Sequence, residues 1–325
     1  DFTLSISGGS ATLGSLNPTA ITKDTPTFSS TTIDNNFGGA FGLEIVDLDF
    51  DGDMDIIATA IDWDDINWYE NDGSENFTEI LIDGDLNGAL GLDINDVDGD
   101  GDLDIFATGF FGINSVVWYE NNGSQSFTRS TLGNIGSGYD VKVKDLDEDG
   151  DMDVIASGRS GNKVVWFAND GTQSFTENVI DNSIDGPANF DVGDVDGDGD
   201  LDLVAVALDD NDVVFYQNDG SENFTKNTID SNLPAARDVI IADIDSDGDL
   251  DAVATSSNNT GNDLVWYAND GTGSFTSNVI GDNINFTNYL QVADIDGDND
   301  QDILVTMFNA ADLIWYENDG SENFT

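Results

Sequence analysis

Nine-residue loops with aspartate at every odd position occur six times in this chain, and they are where its chemistry is most legible. The first holds Asp47, Asp49, Asp51, Asp53 and Asp55, and the second Asp96, Asp98, Asp100, Asp102 and Asp104. The third holds Asp145, Asp147, Asp149, Asp151 and Asp153, and the fourth Asp194, Asp196, Asp198, Asp200 and Asp202. The fifth holds Asp243, Asp245, Asp247, Asp249 and Asp251, and the sixth Asp294, Asp296, Asp298, Asp300 and Asp302. Carboxylates at positions 1, 3 and 5 point one way when a chain curls around an ion. Glycine at position 6 permits the sharp turn, position 7 offers its carbonyl, and position 9 closes the shell, as in a shortened EF-hand loop. The sixth loop has Asn299 at position 6, and asparagine tolerates the left-handed conformation best after glycine. All-oxygen ligation selects a hard cation, and a flexible loop suits calcium better than magnesium. The expected cofactor is Ca2+, about six ions, one per repeat. Two carboxylates ~5 Å apart repel by about 3 kcal/mol at an effective dielectric near ~20, so the loops oppose folding unless a cation sits among them.

The composition points the same way. The 325 residues include 56 Asp but only 10 Glu, and generic surface acidity would use both. Eight Lys and Arg against 66 acids give a formal charge of −58, which six calcium ions would reduce to −58 + 12 = −46. Such a chain has no basic footprint for nucleic acid. With no His and no Cys, histidine-base mechanisms, cysteine nucleophiles, zinc–thiolate sites and disulfides are excluded. No apolar run approaches ~18 residues, so no membrane span is expected.

The loops are spaced 49, 49, 49, 49 and 51 residues apart. Each is followed by an aromatic pair and an Asn-Asp-Gly or Asn-Asn-Gly turn, as in Trp68-Tyr69 with Asn71-Asp72-Gly73, and then by a Phe-Thr or Phe-Ser pair. In the second unit Leu90–Asn95, Leu103–Gly109, Ser115–Glu120 and Phe127–Leu132 read as four short strands separated by turn residues. No 3.6-residue apolar period is sustained. Four strands every ~40–50 residues is the pattern of a β-propeller blade. The expected fold is all-β, a six-bladed propeller of four-stranded antiparallel blades over residues 28–325. Residues 28–33 match a fourth strand and are expected to close the ring by completing the last blade. Residues 1–27 are left as a linker or a strand donated to another chain.

The six loops resemble FG-GAP/VCBS repeats, the blade unit of integrin α-subunit propellers and of many secreted bacterial proteins. Phe37-Gly38-Gly39-Ala40 is similar to the namesake signature, and later units keep fragments such as Gly88-Ala89 and Gly186-Pro187-Ala188. The resemblance covers roughly residues 28–325 and implies a calcium-stabilised propeller outside the cell, secreted or at its surface. It implies adhesion, glycan binding or an accessory role. Integrin propellers have seven blades and carry calcium in only some, so no integrin partner is carried over.

In a propeller the loops after first and third strands share one face, and those after second and fourth strands the other. The metal loops therefore lie with the Asn-Asp-Gly turns. On the opposite face the sequence places Trp63, Phe110, Phe111, Arg159 and Phe308 as candidate ligand contacts, with Phe37 and Phe286 beside them. Trp68, Trp118, Trp166, Trp266 and Trp315 share one repeat position with Phe215 and are expected to pack between blades. Glu44 and Asp93 could face the channel, and Tyr139 with Lys142 or Lys144 is the one arrangement resembling a catalytic set. No enzyme is expected. The expected partners are a glycan, a surface protein or copies of the chain itself, the last joined by strand donation into a filament.

Overall fold

The computed structural model describes residues 31–112, 116–258, 261, 263–281, 284, 287–307 and 312–325. Its first blade is β1 (Ala40–Val46), β2 (Asp55–Ala60), β3 (Asp65–Asn71) and β4 (Phe77–Asp83). The second is β5 (Ala89–Asn95), β6 (Asp104–Gly109), β7 (Val116–Asn121) and β8 (Phe127–Gly133). The third is β9 (Gly138–Lys144), β10 (Asp153–Gly158), β11 (Lys163–Asn169) and β12 (Phe175–Asp181). The fourth is β13 (Pro187–Gly193), β14 (Asp202–Ala207), β15 (Asp212–Asn218) and β16 (Phe224–Asp230). The fifth is β17 (Ala236–Ala242), β18 (Asp251–Ser256), β19 (Leu264–Asn269) and β20 (Phe275–Gly281), and the sixth β21 (Thr287–Ala293), β22 (Asp302–Met307) and β23 (Leu313–Tyr316). All neighbouring strands pair antiparallel in sequence order, which is the expected six-bladed propeller.

Burial follows from place within the blade. The second strands of the first five blades, such as Asp55–Ala60, are buried along their whole length, because both faces meet a neighbouring blade. Fourth strands alternate between exposed and half-buried residues, as outer edges do. Most apolar clusters span a blade boundary. Trp68 of the first blade packs with Leu92, Ile105 and Val117 of the second, and Trp118 packs with Val141, Val154 and Val165 of the third. Trp68, Trp118, Trp166, Trp266 and Phe215 are all buried, as their shared position predicts, while Trp315 is half-buried. A small hydroxyl stitches blades near the axis. Thr59 Oγ1 accepts the Gly42 N–H at 2.8 Å and donates to the Leu90 carbonyl at 2.6 Å, and Ser157 does the same between Asp140 and Ala188.

The boundary between the sixth and first blades differs. Leu43 is 57% exposed, whereas Leu92 at the equivalent place is 5% exposed, and Leu313 is 66% exposed. The fourth strand of the sixth blade is begun by the chain's own Phe324 and Thr325, with Glu317 and Thr325 exchanging two backbone hydrogen bonds of 3.0 and 3.1 Å. Of the segment 28–33 expected to close the ring, residues 28–30 lie outside the described residues and 31–33 form no strand. Asp34, just after it, accepts the Tyr69 hydroxyl at 3.0 Å. Asp83, Asp181 and Asp230, each ending a fourth strand, do the same for Tyr119, Tyr216 and Tyr267 of the following blade. Asp34 thus stands to the first blade as the end of a preceding fourth strand stands to the others.

Candidate metal centres

Every loop is folded by its own carboxylates. The position-1 aspartate accepts the position-6 N–H: Asp47 from Gly52 at 3.0 Å, Asp96 from Gly101 at 3.1 Å, and so through to Asp294 from Asn299 at 3.1 Å. That closure needs a left-handed residue, with φ of 99° at Gly52 and 77° at Asn299. Position-3 and position-5 carboxylates each accept the N–H two residues on, as Asp49 does from Asp51 at 3.2 Å and Asp51 from Asp53 at 3.0 Å.

Position 9 begins the second strand and is fully buried in all six loops. Its carboxylate accepts the N–H of the turn asparagine, at 2.8 Å for Asp55 from Asn71 and 2.7 Å for Asp104 from Asn121. Most also accept the position-2 N–H, as Asp153 does from Leu146 at 3.0 Å. Burial pushes Asp104 and Asp153 up to about 7, and Asp202 and Asp251 to about 6, against the pull of those donors.

The position-7 side chains go elsewhere. A Cβ on Gly73 would lie 2.3 Å from Asp53 Oδ2, and the same close approach joins Gly123 to Asp102, Gly171 to Asp151, Gly220 to Asp200, Gly271 to Asp249 and Gly320 to Asp300. These carboxylates rest on the turn glycines, which leaves the backbone carbonyl as what position 7 can offer an ion. It also explains the glycine of the Asn-Asp-Gly turn.

Ligand oxygens of positions 1, 3 and 5 converge within 4.8 Å in the first, second and fifth loops, and those of positions 1, 3 and 9 in the third and fourth. Oδ1 of Asp47, Asp145, Asp194 and Asp243 is buried with no hydrogen-bond donor. A buried carboxylate oxygen without a donor is costly. A hard cation is what these oxygens lack, so the residues fit calcium. The turn of the next blade docks on the loop: Asn169 Nδ2 donates to the Val97 carbonyl at 3.2 Å, Asn269 to Val195 at 2.7 Å and Asn318 to Ile244 at 3.0 Å. Loops and turns thus share one face, as the topology predicted.

The opposite face carries the aromatic candidates. Trp63 is 44% exposed and its indole covers Gly38, where a Cβ would lie 2.3 Å from Nε1. Phe111 is 50% exposed. Phe110 meets Phe111 edge-to-face at 5.1 Å and Tyr139 at 6.2 Å. Phe41 meets Tyr139 at 6.1 Å and Tyr289 at 5.2 Å. Arg159 is paired with Asp209 through two hydrogen bonds of 2.9 and 3.2 Å, beside a cavity of about 470 Å³ that Phe110, Ser160 and Asn162 also line. Phe37 packs on Tyr69 at 6.0 Å, while Phe286 and Phe308 lie outside the described residues.

A cavity of about 560 Å³ occupies the centre, lined by Phe41, Glu44, Tyr139, Asp140, Lys142, Asp191, Asp238 and Tyr289 among others. Sequence reasoning singled out Glu44, Tyr139 and Lys142 but missed Phe41, Asp140, Asp238 and Tyr289. Phe41 stands second in its first strand and Asp140, Asp238 and Tyr289 third in theirs, beside a register irregularity between first and second strands, so no single periodicity picks them out. Burial pushes Glu44 up to about 7, helped by the Asp93 charge and opposed by Lys142. Burial likewise raises Asp140 to about 6 and Asp238 to about 7. Lys142 is held as a cation by Asp140, with Asp93, Asp191 and Glu44 adding to the effect against burial.

A family model described as an FG-GAP-like repeat matches residues 47–107, 96–156, 145–205, 194–254 and 243–305. No curated protein matches the chain. Among solved structures, a catalytically inactive virginiamycin B lyase from Staphylococcus aureus with quinupristin is 16% identical, with a TM-score of 0.60 over 88% of this chain and 83% of that one. A streptogramin B lyase is 16% identical, with a TM-score of 0.58 over 88% and 85%. A protein from Lactobacillus plantarum is 12% identical, with a TM-score of 0.60 over 87% and 82%. At these identities the likeness is one of fold. No helix among the described residues is long and apolar enough to cross a membrane.

Proposed function

The chain belongs to the FG-GAP-like repeat family, and from that premise we propose that it is an extracellular, calcium-braced binding module. Its ligand, a glycan or the surface of another protein, enters the channel mouth on the face opposite the metal loops. Five rings, Phe111, Phe110, Tyr139, Phe41 and Tyr289, run unbroken from an exposed loop to the channel, and that run carries the proposal. Aromatic faces stack on sugar rings and anchor protein interfaces. Calcium sites of extracellular modules bind at about 10⁻⁴–10⁻³ M, a concentration found outside cells. In this reading Tyr139 with Lys142 is not a catalytic set. The channel lysine is held charged by four carboxylates, and burial raises the Tyr139 phenol, so neither supplies a base at neutral pH. A glycan array read with and without calcium tests this, with Trp63→Ala and Tyr289→Ala as variants. Binding that needs calcium and weakens in either variant supports it, and silence on every glycan moves the ligand to a protein.

A second reading joins copies of the chain at the side between blades six and one, where Leu43, Ile45 and Leu313 are exposed. Light scattering and electron microscopy of the protein in calcium separate the two: oligomers or filaments favour this reading, and monomers remove it.

A further inference from the structure

The second residue of each first strand recurs at one level around the axis. In chain order these residues are Phe41, Leu90, Tyr139, Ala188, Arg237 and Asn288. Phe41, Leu90 and Tyr139 line the central cavity, and Phe41 and Tyr139 belong to the run of rings. Arg237 is the charged member of the set. It is the extra residue where β17 and β18 slip in register, between Ala236 opposite Ser256 and Asp238 opposite Thr255. An irregularity of this kind re-aims a side chain.

Arg237 lacks a counter-ion. Arg129, Arg159, Lys163 and Lys226 pair with Asp83, Asp209, Glu177 and Asp181 at 2.8, 2.9, 2.6 and 3.0 Å, and Lys142 is held by Asp140 and its neighbours. Arg237 is half-buried, forms no ion pair among the described residues, and its Nε is buried without an acceptor. The carboxylates of the adjoining channel wall are already engaged. Asp238 accepts from Asn189 Nδ2 at 2.6 Å and from the Val239 and Leu290 N–H groups at 3.0 and 2.8 Å. Asp140 accepts from the Val141 and Phe190 N–H groups at 2.9 and 3.3 Å. Burial raises the Tyr139 and Tyr289 phenols, and the Arg237 charge acts against burial on both, so the guanidinium lies within electrostatic reach of two of the five rings.

We infer that Arg237 receives the acidic group of the ligand, and that the ligand is a glycan with an isolated carboxylate, its sugar ring stacked on the channel aromatics. This rests on the reading of the channel mouth as a binding site. The guanidinium fork matches a carboxylate with two parallel hydrogen bonds. A buried N–H without an acceptor is costly, and the ligand supplies what the free protein lacks. The cavity of about 560 Å³ has the size of a small-molecule site, whereas a stable protein interface needs roughly 800 Å² from each partner. A formal charge of −58 repels a polyanion, so a sugar with one acidic group fits where a densely charged chain does not.

A glycan array probed with the whole chain in saturating calcium tests the assignment. It carries uronate-, sialate- and sulfate-bearing oligosaccharides, each beside its carboxyl-reduced or desulfated counterpart, and titration calorimetry then measures the best pair. The carboxylate-bearing member should bind roughly tenfold or more tighter than its neutral counterpart. Arg237→Gln should bring the two level and leave neutral binding intact, while Arg237→Lys, which keeps the charge without the fork, should fall between. A melting temperature close to wild type in either variant separates lost recognition from lost fold. Neutral glycans that bind as well as acidic ones, a preference for the sulfated pairs alone, or a preference that survives Arg237→Gln overturns the inference and leaves the binding module standing. Silence on every glycan removes the glycan reading, and the inference with it.

Discussion

The Asp93 carboxylate accepts the backbone N–H of Val143, one blade further round the ring, at 2.6 Å, while its other oxygen accepts the N–H of Ile94. Asp140 with Phe190, Asp191 with Ile241 and Asp238 with Leu290 repeat the arrangement at successive boundaries. A row of side-chain carboxylates thereby links the innermost strands, which share no backbone ladder. Asp93→Ala leaves the Val143 N–H without its partner and should cost about 1–3 kcal/mol of stability. Chemical denaturation in saturating calcium measures it, and an unchanged midpoint would mean that water replaces the carboxylate at no cost.

Removing divalent ions should lower the melting temperature sharply, because orphaned oxygens such as Asp47 Oδ1 and Asp145 Oδ1 would face other carboxylates alone. Calorimetric melting in calcium and in excess EDTA checks this. Equal melts in the two would show that the loops are self-sufficient.

Glu44 sits near 7 in the folded protein, against about 4.3 for a free glutamate. Its folded form binds the proton more tightly, so the stability it contributes is complete below about pH 4 and is lost as pH rises through about 7. Asp140 and Asp238 act in the same direction. The groups bearing on Glu44 are Asp93 on β5 and Asp140 and Lys142 on β9. With calcium saturating, the protein should melt higher at about pH 5.5 than at about pH 8. Glu44→Gln should flatten that slope by raising the melt at the alkaline end, and an identical slope in the variant would remove Glu44 from the account.

Gly123→Ala should destabilise the second blade, because the turn holds φ at 68° and the new Cβ would lie 2.3 Å from Asp102 Oδ2. The left-handed backbone alone costs about 1 kcal/mol. Adding Asp102→Ala should recover the steric part and leave the backbone part. A thermal melt of both variants separates the two contributions.

The blades were legible because each is local. Strand, Asp loop, strand and Asn-Asp-Gly turn recur within ~49 residues, and the second-unit strands differ from expectation only at their ends, with β6 starting at Asp104 rather than Leu103 and β8 running on to Gly133. The loop chemistry was legible for the same reason. The channel was not, because Phe41, Tyr139 and Tyr289 come from three blades and meet only once the strands surround an axis. Nor could spacing reveal that Asp53 and its equivalents turn their carboxylates onto the glycines, since position 7 looks like any other odd position of the loop.

The metal loops and the run of rings occupy opposite ends of the same strands. On the proposed reading an ion never touches what the mouth holds, and calcium would influence occupancy only through how many rings are assembled. A calcium series should then change the amplitude of a binding curve while its midpoint stays fixed. A protein of this kind would respond to the calcium of its surroundings by counting competent molecules, not by retuning each one.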